Sequence, residues 1–315
     1  MKRPLPLVAV LALLTCLTSV TARADFVRTD HSIGWEQDGD LLWQFSFSPD
    51  DGKPYFHPLR VPGGPSLTKL KPEDHVWHYG LWFSWKYINH ANYWEQSRET
   101  GRSEGKTTWG TPHIRTFPDG GAEITLQLDY AHPTGRVDLS ETRLLVVSPV
   151  AADGSYTIDW NSTFTAGRAG AYLDRTPLPH EPDGVVWGGY AGLSMRLGHG
   201  PDPVAMVNTH GPMTDWVDNR MRPRTGALGV TVYPQKPDSG SLAVLTATDN
   251  MPGDGDDPWY CINSQPSRFW CSAVLVPKPL QLEPGQVWPL RYRLQLRKHP
   301  WTAADLSTAL ESWQE

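Results

Sequence analysis

Glu123-Ile124-Thr125-Leu126-Gln127-Leu128 sets an apolar side chain at every second position. That is the two-residue period of a strand with one buried face, not the longer period of a helix. The same alternation returns in Leu41-Leu42-Trp43-Gln44-Phe45-Ser46-Phe47 and in Arg291-Tyr292-Arg293-Leu294-Gln295-Leu296. Between such runs stand Pro118-Asp119-Gly120-Gly121 and Met251-Pro252-Gly253-Asp254-Gly255-Asp256, clusters that bend the chain because Gly tolerates positive φ and Pro presets a turn. With 28 Gly and 29 Pro in the chain, long helices have little room. The expected fold is all-β, a large antiparallel sandwich. One short helix is expected at the end, where Thr302 can cap a run through Asp305, Leu306, Leu310 and Trp313.

At the other end, Lys2 and Arg3 precede an apolar run from Leu7 to Leu17, and Ala22 and Ala24 then form an A-x-A site. This is the pattern of a signal peptide, 1–24, cleaved after Ala24 to release a periplasmic or secreted chain, 25–315. The apolar run is about half of the roughly 20 residues that a membrane span needs. Cleavage removes Lys2, Arg3 and Arg23 and no acid, so 28 basic residues fall to 25 against 34 acidic ones, a net charge of −9. Nucleic acid and anionic membrane surfaces are poor partners for such a chain. About 290 residues with no linker-like stretch read as one domain around one core. Once Cys16 leaves with the signal, Cys261 and Cys271 remain, open to a disulfide or to two free thiols. A cysteine-only metal site, which needs about four ligands, is not expected.

The chemistry concentrates in Pro72-Glu73-Asp74-His75-Val76-Trp77-His78-Tyr79-Gly80-Leu81-Trp82-Phe83-Ser84-Trp85-Lys86, continuing to Asn89 and Asn92-Tyr93-Trp94-Glu95. A core built only for packing favours Val, Ile and Leu. Here aromatic rings alternate with Asp, His, Lys, Asn and Glu, the mixture that binds sugars: flat rings for apolar sugar faces, polar groups for hydroxyls. Trp77, Trp82, Trp85, Asn89, Tyr93 and Trp94 are the candidate sugar contacts.

His57-Pro58-Leu59, Asp74 through Phe83 and Asn92-Tyr93-Trp94-Glu95 strongly resemble a bacterial domain family of unknown function that circulates under the label "methane oxygenase PmoA". The resemblance continues through Ile158-Asp159-Trp160, Gly188 to Arg196, Leu282-Glu283-Pro284-Gly285 and Leu290-Arg291-Tyr292-Arg293, nearly the whole mature chain. Methane monooxygenase subunits cross the membrane several times, whereas this chain has no spanning segment after its signal. The resemblance instead implies a mutarotase-like supersandwich and a carbohydrate role. Many relatives carry His-Pro-His-His where this chain has His75-Val76-Trp77-His78.

Read as chemistry, His75 and His78 beside Asp74 form a pair that can shuttle protons or, with His57, hold a divalent metal ion. In an extended strand, residues three apart face opposite ways, so both can serve one site only if the chain turns between them. Lys86 and Arg143 are candidate cations for a developing oxyanion, with Glu95 and Glu141 as carboxylates. Glu141 and Arg143, two apart on one strand face, read equally as a structural ion pair. His180 and His210 lie in polar loops, Arg175 to Pro182 and Asn208 to Gly211, of the kind that carry sites on β scaffolds. The chain has no P-loop, dinucleotide fingerprint, nucleophile elbow or catalytic-cysteine motif. Two-carboxylate hydrolysis stays open through Asp74, Glu95, Asp129, Glu141 and Asp159, but no spacing selects a pair. The leading expectation is an exported enzyme acting on a glycoside or oxidised keto sugar by elimination or hydrolysis. The alternative is a carbohydrate-binding protein without catalysis.

Overall fold

Alternation along Ala122–Ala131, Val137–Val147 and Tyr156–Ala166 becomes three adjacent antiparallel strands, with the odd-period residues buried and their neighbours facing out. The computed structural model describes residues 24–198, 204–233, 236, 239–251 and 255–314. The expected signal segment, apart from Ala24, lies outside these residues.

Those strands belong to a ten-stranded sheet that runs from Gly211–Pro212 through Val204–Asn208, Ala227–Val232, Gly240–Thr246, Val287–Arg297 and the trio above to Lys106–Trp109, with His113–Thr116 also paired to Ala122–Ala131. A nine-stranded sheet faces it. Its spatial order is Ala24–Thr29, Ser32–Gln37, Asp40–Ser46, Tyr55–Leu59, Leu81–Ser84, Gly192–Arg196, Phe269–Ser272, Trp259–Ile262 and Arg220–Met221. A small four-stranded sheet, Leu280–Leu282, Ala171–Asp174, Tyr87–Ile88 and Ala91–Asn92, stands apart from these two. The architecture is the all-β antiparallel sandwich expected from the alternation.

Aromatic rings join the two large sheets. Phe83 and Trp85 lie 5.2 and 5.0 Å from Phe164, and Phe56 lies 6.2 Å from Trp160. Each such ring, taken fully out of water, contributes on the order of 1.5–3 kcal/mol. Tyr156 crosses the same gap, its hydroxyl donating to the carbonyls of Leu42 at 3.3 Å and Arg60 at 3.0 Å. The C-terminal helix, Ala303–Gln314, starts as expected. Thr302 Oγ1 accepts from the Asp305 amide and Asp305 Oδ2 accepts from the Thr302 amide, a reciprocal cap. Its Leu306 packs with Trp301, Ala227 and Leu245 on the outside of the ten-stranded sheet.

In the nine-stranded sheet the strand period separates two environments. Leu81, Phe83, Leu193, Met195, Cys261 and Trp270 point into the sandwich. Trp82, Tyr260, Phe269 and Cys271 point to the opposite face. That outer face is not left to water. Residues 70–79 and Trp94 cover it, which is why Leu81–Ser84, Gly192–Arg196 and Phe269–Ser272 are buried along their whole length. The same parity decides the cysteines. Both are free, because Cys261 pairs in register with Trp270 and Cys271 with Tyr260, leaving the two thiols on opposite faces.

Candidate functional site

The cover over the outer face leaves a cavity of about 320 Å³. Its walls are Trp77, Trp94, Trp187, Tyr190, Tyr260, Ile262 and Phe269, with His75, His78, Glu95, Arg196, Arg220 and Ser267 among them. Gly80 lets the covering segment enter its strand, since it takes φ +66° and a Cβ there would stand 2.5 Å from the Phe56 carbonyl oxygen.

The turn that the two histidines require is present. The His75 amide donates to the Pro72 carbonyl and the His78 amide to the His75 carbonyl, each at 3.0 Å. Two successive turns stack the imidazoles with centroids 4.7 Å apart, and Phe269 stacks on the far side of His78 at 5.2 Å. Beside them, Asp74 Oδ2 accepts from Arg196 Nη2 at 2.5 Å and Ser267 Oγ at 2.9 Å, and lies 2.8 Å from His75 Nδ1. Burial alone would raise the Asp74 carboxyl. The bonds from Arg196, His75 and Ser267 outweigh it and hold the carboxyl well below the usual carboxylate range. An ionised Asp74 only accepts, so the shared proton sits on His75 Nδ1. In the neutral ring Nε2 is then the nitrogen left to accept, on a side chain 39% exposed that lines the cavity.

His78 differs. Its Nδ1 lies 3.3 Å from Arg196 Nη1, a donor, so this nitrogen accepts. Burial pushes His78 well below the ordinary imidazole value, and repulsion from His75, Arg196 and Lys53 adds to this. It is a neutral spacer between His75 and Phe269.

Also on the cavity wall, Glu95 Oε1 accepts from the Tyr190 hydroxyl at 2.7 Å, and Oε2 accepts from Asn92 Nδ2 at 2.7 Å and from Lys86 Nζ. Burial would raise Glu95, but Lys86, Tyr190 and Asn92 hold it below the usual range. Lys86, buried against Tyr87 and Tyr190, is thus the partner of Glu95 rather than a cation facing the cavity.

The remaining candidates fall elsewhere. His57 Nδ1 lies 2.8 Å from Thr68 Oγ1, and burial with repulsion from Arg60 pulls this group down to about 4. The metal set His57, His75 and His78 does not assemble: among the described residues no three His, Cys, Asp or Glu side chains converge as ligands. His78 points its Nδ1 at a guanidinium and His57 is bound to a threonine, which is the physical reason. Glu141 and Arg143 lie inside the sandwich, joined at 2.7 and 2.8 Å, with Tyr130 and Ser162 donating to the same carboxylate and Arg143 over the Trp160 ring. Trp85 and Tyr93 are core residues, packed on Phe164 and Tyr130. Trp82 floors the cluster beneath His78 at 4.9 Å. Asn89 shapes a turn, φ +48°, bonded to Gly170 and Tyr172. His180 and His210 are exposed and stand outside the cavity walls.

Sequence reading missed Arg196, Tyr190, Trp187, Arg220, Tyr260, Ser267 and Phe269, which line the cavity from distant segments. It also missed Lys53, whose buried ammonium donates to the carbonyls of Trp94 at 2.5 Å and Trp77 at 3.4 Å beneath the cover. Only Arg196 leaves a local trace, as a charge at the end of the apolar strand Gly192–Arg196.

Residues 32–311 match one family, described as a family of unknown function, DUF6807. The chain belongs to that family. No curated protein matches this member of DUF6807. Among solved structures it is similar to the galactosidase domain of the alpha-galactosidase–sucrose kinase AgaSK, at 9% identity and TM-score 0.42, over 88% of this chain and 41% of that one. It is also similar to a protein described as a candidate aldose 1-epimerase from Klebsiella pneumoniae, at 8% identity and TM-score 0.39, over 93% of this chain and 88% of that one. The chain spans less than half the length of the AgaSK structure. Among the described residues no helix is long and apolar enough to cross a membrane. Function has to be read from the cavity.

Proposed function

We propose that this DUF6807 member, exported by its N-terminal segment and acting as one domain, binds a carbohydrate in the cavity and works on a glycoside of an oxidised, keto-bearing sugar by elimination. The observation that carries the reading is the Arg196–Asp74–His75 relay opening onto an aromatic cavity. Trp77, Trp94, Trp187 and Tyr190 offer faces for the sugar ring, and Glu95 with its bound Tyr190 hydroxyl offers polar partners for its hydroxyls.

His75 Nε2 takes the proton from the carbon beside the ketone. The C–H electron pair forms the enolate, whose oxygen meets the cation of Arg220 on the cavity wall. Collapse of the enolate breaks the bond to the leaving oxygen, and the proton held by His75 passes to that oxygen. Asp74 keeps His75 in the tautomer that can accept, and its charge, balanced by Arg196, stabilises the imidazolium formed.

The test is a turnover screen of the mature protein on methyl and aryl glycosides and their keto derivatives, with products followed by mass spectrometry. Release of the leaving group that is lost in His75→Ala, with sugar affinity retained, supports the reading. Sugar binding with no product from any substrate points to a binding protein instead.

A further inference from the structure

Arg220 belongs to the wall of more than one hollow. This arginine also lines a second hollow of about 420 Å³, formed by Val186, Val217, Met221, Pro179 and Pro223. Arg220 is therefore the shared wall of two adjoining spaces. Its Nε donates to the Tyr260 hydroxyl at 3.1 Å and its Nη1 to the Asp218 carbonyl at 2.8 Å.

The two hollows differ in chemistry. The cavity carries aromatic faces together with His, Glu and Arg. The second hollow is lined by aliphatic and proline side chains, with Asp215, Asp218, Arg220 and Arg222 at hand. It lacks the aromatic platform on which a sugar ring stacks, and its charges are of both signs.

Its apolar wall is unusually exposed. Among the described residues, seven large hydrophobic side chains are exposed, and three of them, Val186 (44%), Trp187 (51%) and Val217 (74%), edge these two hollows. Exposed apolar groups gathered at one cleft, rather than scattered, mark a place that is covered in use.

Backbone geometry holds this wall in position. Val217 and Arg220 exchange backbone hydrogen bonds at 3.1 and 2.8 Å around Asp218 and Asn219, whose φ values are +48° and +59°. This is a tight two-residue hairpin of the I′ kind, which Asp and Asn tolerate. On the facing loop, Arg222 Nη2 donates to the carbonyls of Val186 at 2.7 Å and Gly188 at 2.8 Å. The two lips of the groove are thus tied in place before anything binds.

We propose that the groove takes the apolar, ring-bearing aglycone of the glycoside whose sugar fills the cavity, with the glycosidic bond lying at Arg220. This deepens the proposed function and rests on it. Two hollows that adjoin at Arg220, one aromatic and polar and the other aliphatic, match a ligand with a sugar half and an apolar half. A second sugar would find no ring to stack on.

The test is calorimetric binding of the full mature chain to methyl and phenyl glycosides of glucose, galactose and mannose and to their keto derivatives. For the sugar that binds, the phenyl glycoside is expected to bind at least roughly tenfold tighter than the methyl one. In Val217→Asp, an exposed hairpin position, the phenyl-to-methyl affinity ratio is expected to fall close to one. A ratio near one in the unmodified protein, or a ratio unchanged in Val217→Asp, overturns the groove while leaving the sugar cavity standing. If no glycoside of either kind binds, the carbohydrate reading of the cavity falls, and the groove with it.

Discussion

Two carboxylate–arginine pairs in this DUF6807 protein look alike in outline and differ in everything that matters for chemistry. Glu141–Arg143 sits between the sheets, both side chains 0% exposed, its carboxylate also bound by Tyr130 and Ser162. Asp74–Arg196 lies on the outer face of the other sheet, with Asp74 26% exposed and His75 hanging from it into a cavity. The first carboxylate has its hydrogen bonds saturated by the fold. The second passes its charge to a side chain that a ligand can reach. Access separates a structural pair from a working one.

The largest effect expected of this contrast is on turnover. His75→Ala should lower turnover of a keto glycoside by about 10²–10⁴ fold, with little change in the urea midpoint. If Glu141→Gln lowers turnover as much at equal folded fraction, the contrast fails. Next comes stability. Arg143→Met leaves Glu141 buried without its cation and should cost about 3–5 kcal/mol in urea unfolding, with a smaller loss when Glu141→Leu accompanies it.

Acid should act through the buried histidines. His57, pulled to about 4, and His78, pushed well below 6.5, stay neutral in the folded state while unfolded imidazoles protonate. The unfolded chain then binds more protons, so stability falls as the pH drops from about 6.5 toward 4, by on the order of 1–3 kcal/mol. Asp74, held below its ordinary value of 3.8, adds a further loss only below that pH. Urea titrations at pH 7 and pH 4.5 check this, and His57→Gln should shrink the difference. A smaller effect is expected at the cavity wall, where Trp77→Ala should weaken sugar binding about tenfold by calorimetry. The smallest is at the thiols: reductant should leave the melting temperature unchanged, since Cys261 and Cys271 face opposite sides of their sheet.

Much of the fold was legible because strand alternation and helix capping are local. Glu123 to Leu128 and Arg291 to Leu296 read as strands and are strands, and Thr302 caps the helix it was expected to cap. The densest part of the site was legible too, since Asp74, His75, Trp77, His78, Trp94 and Glu95 all lie within one segment. Their roles were less so. The sequence offers Lys86 and Arg143 alike as cations for an oxyanion and leaves Arg143 equally open to a structural pair with Glu141, whereas in the fold Lys86 is locked on Glu95 and Arg143 buried with Glu141.

By itself, the sequence determined the all-β class, the terminal helix and the segment where aromatic and ionisable side chains gather, because each follows from the spacing of neighbours along the chain. Only the tertiary structure decided that His75 rather than His78 presents an open nitrogen, that His57 stands apart, and that Arg196, Tyr190, Arg220 and Tyr260 complete the cavity. Those outcomes depend on strand parity and on which distant strands become neighbours. Antiparallel pairing brings residues together across more than a hundred positions, as Trp82 and Ser194 show, and no local pattern encodes such a meeting.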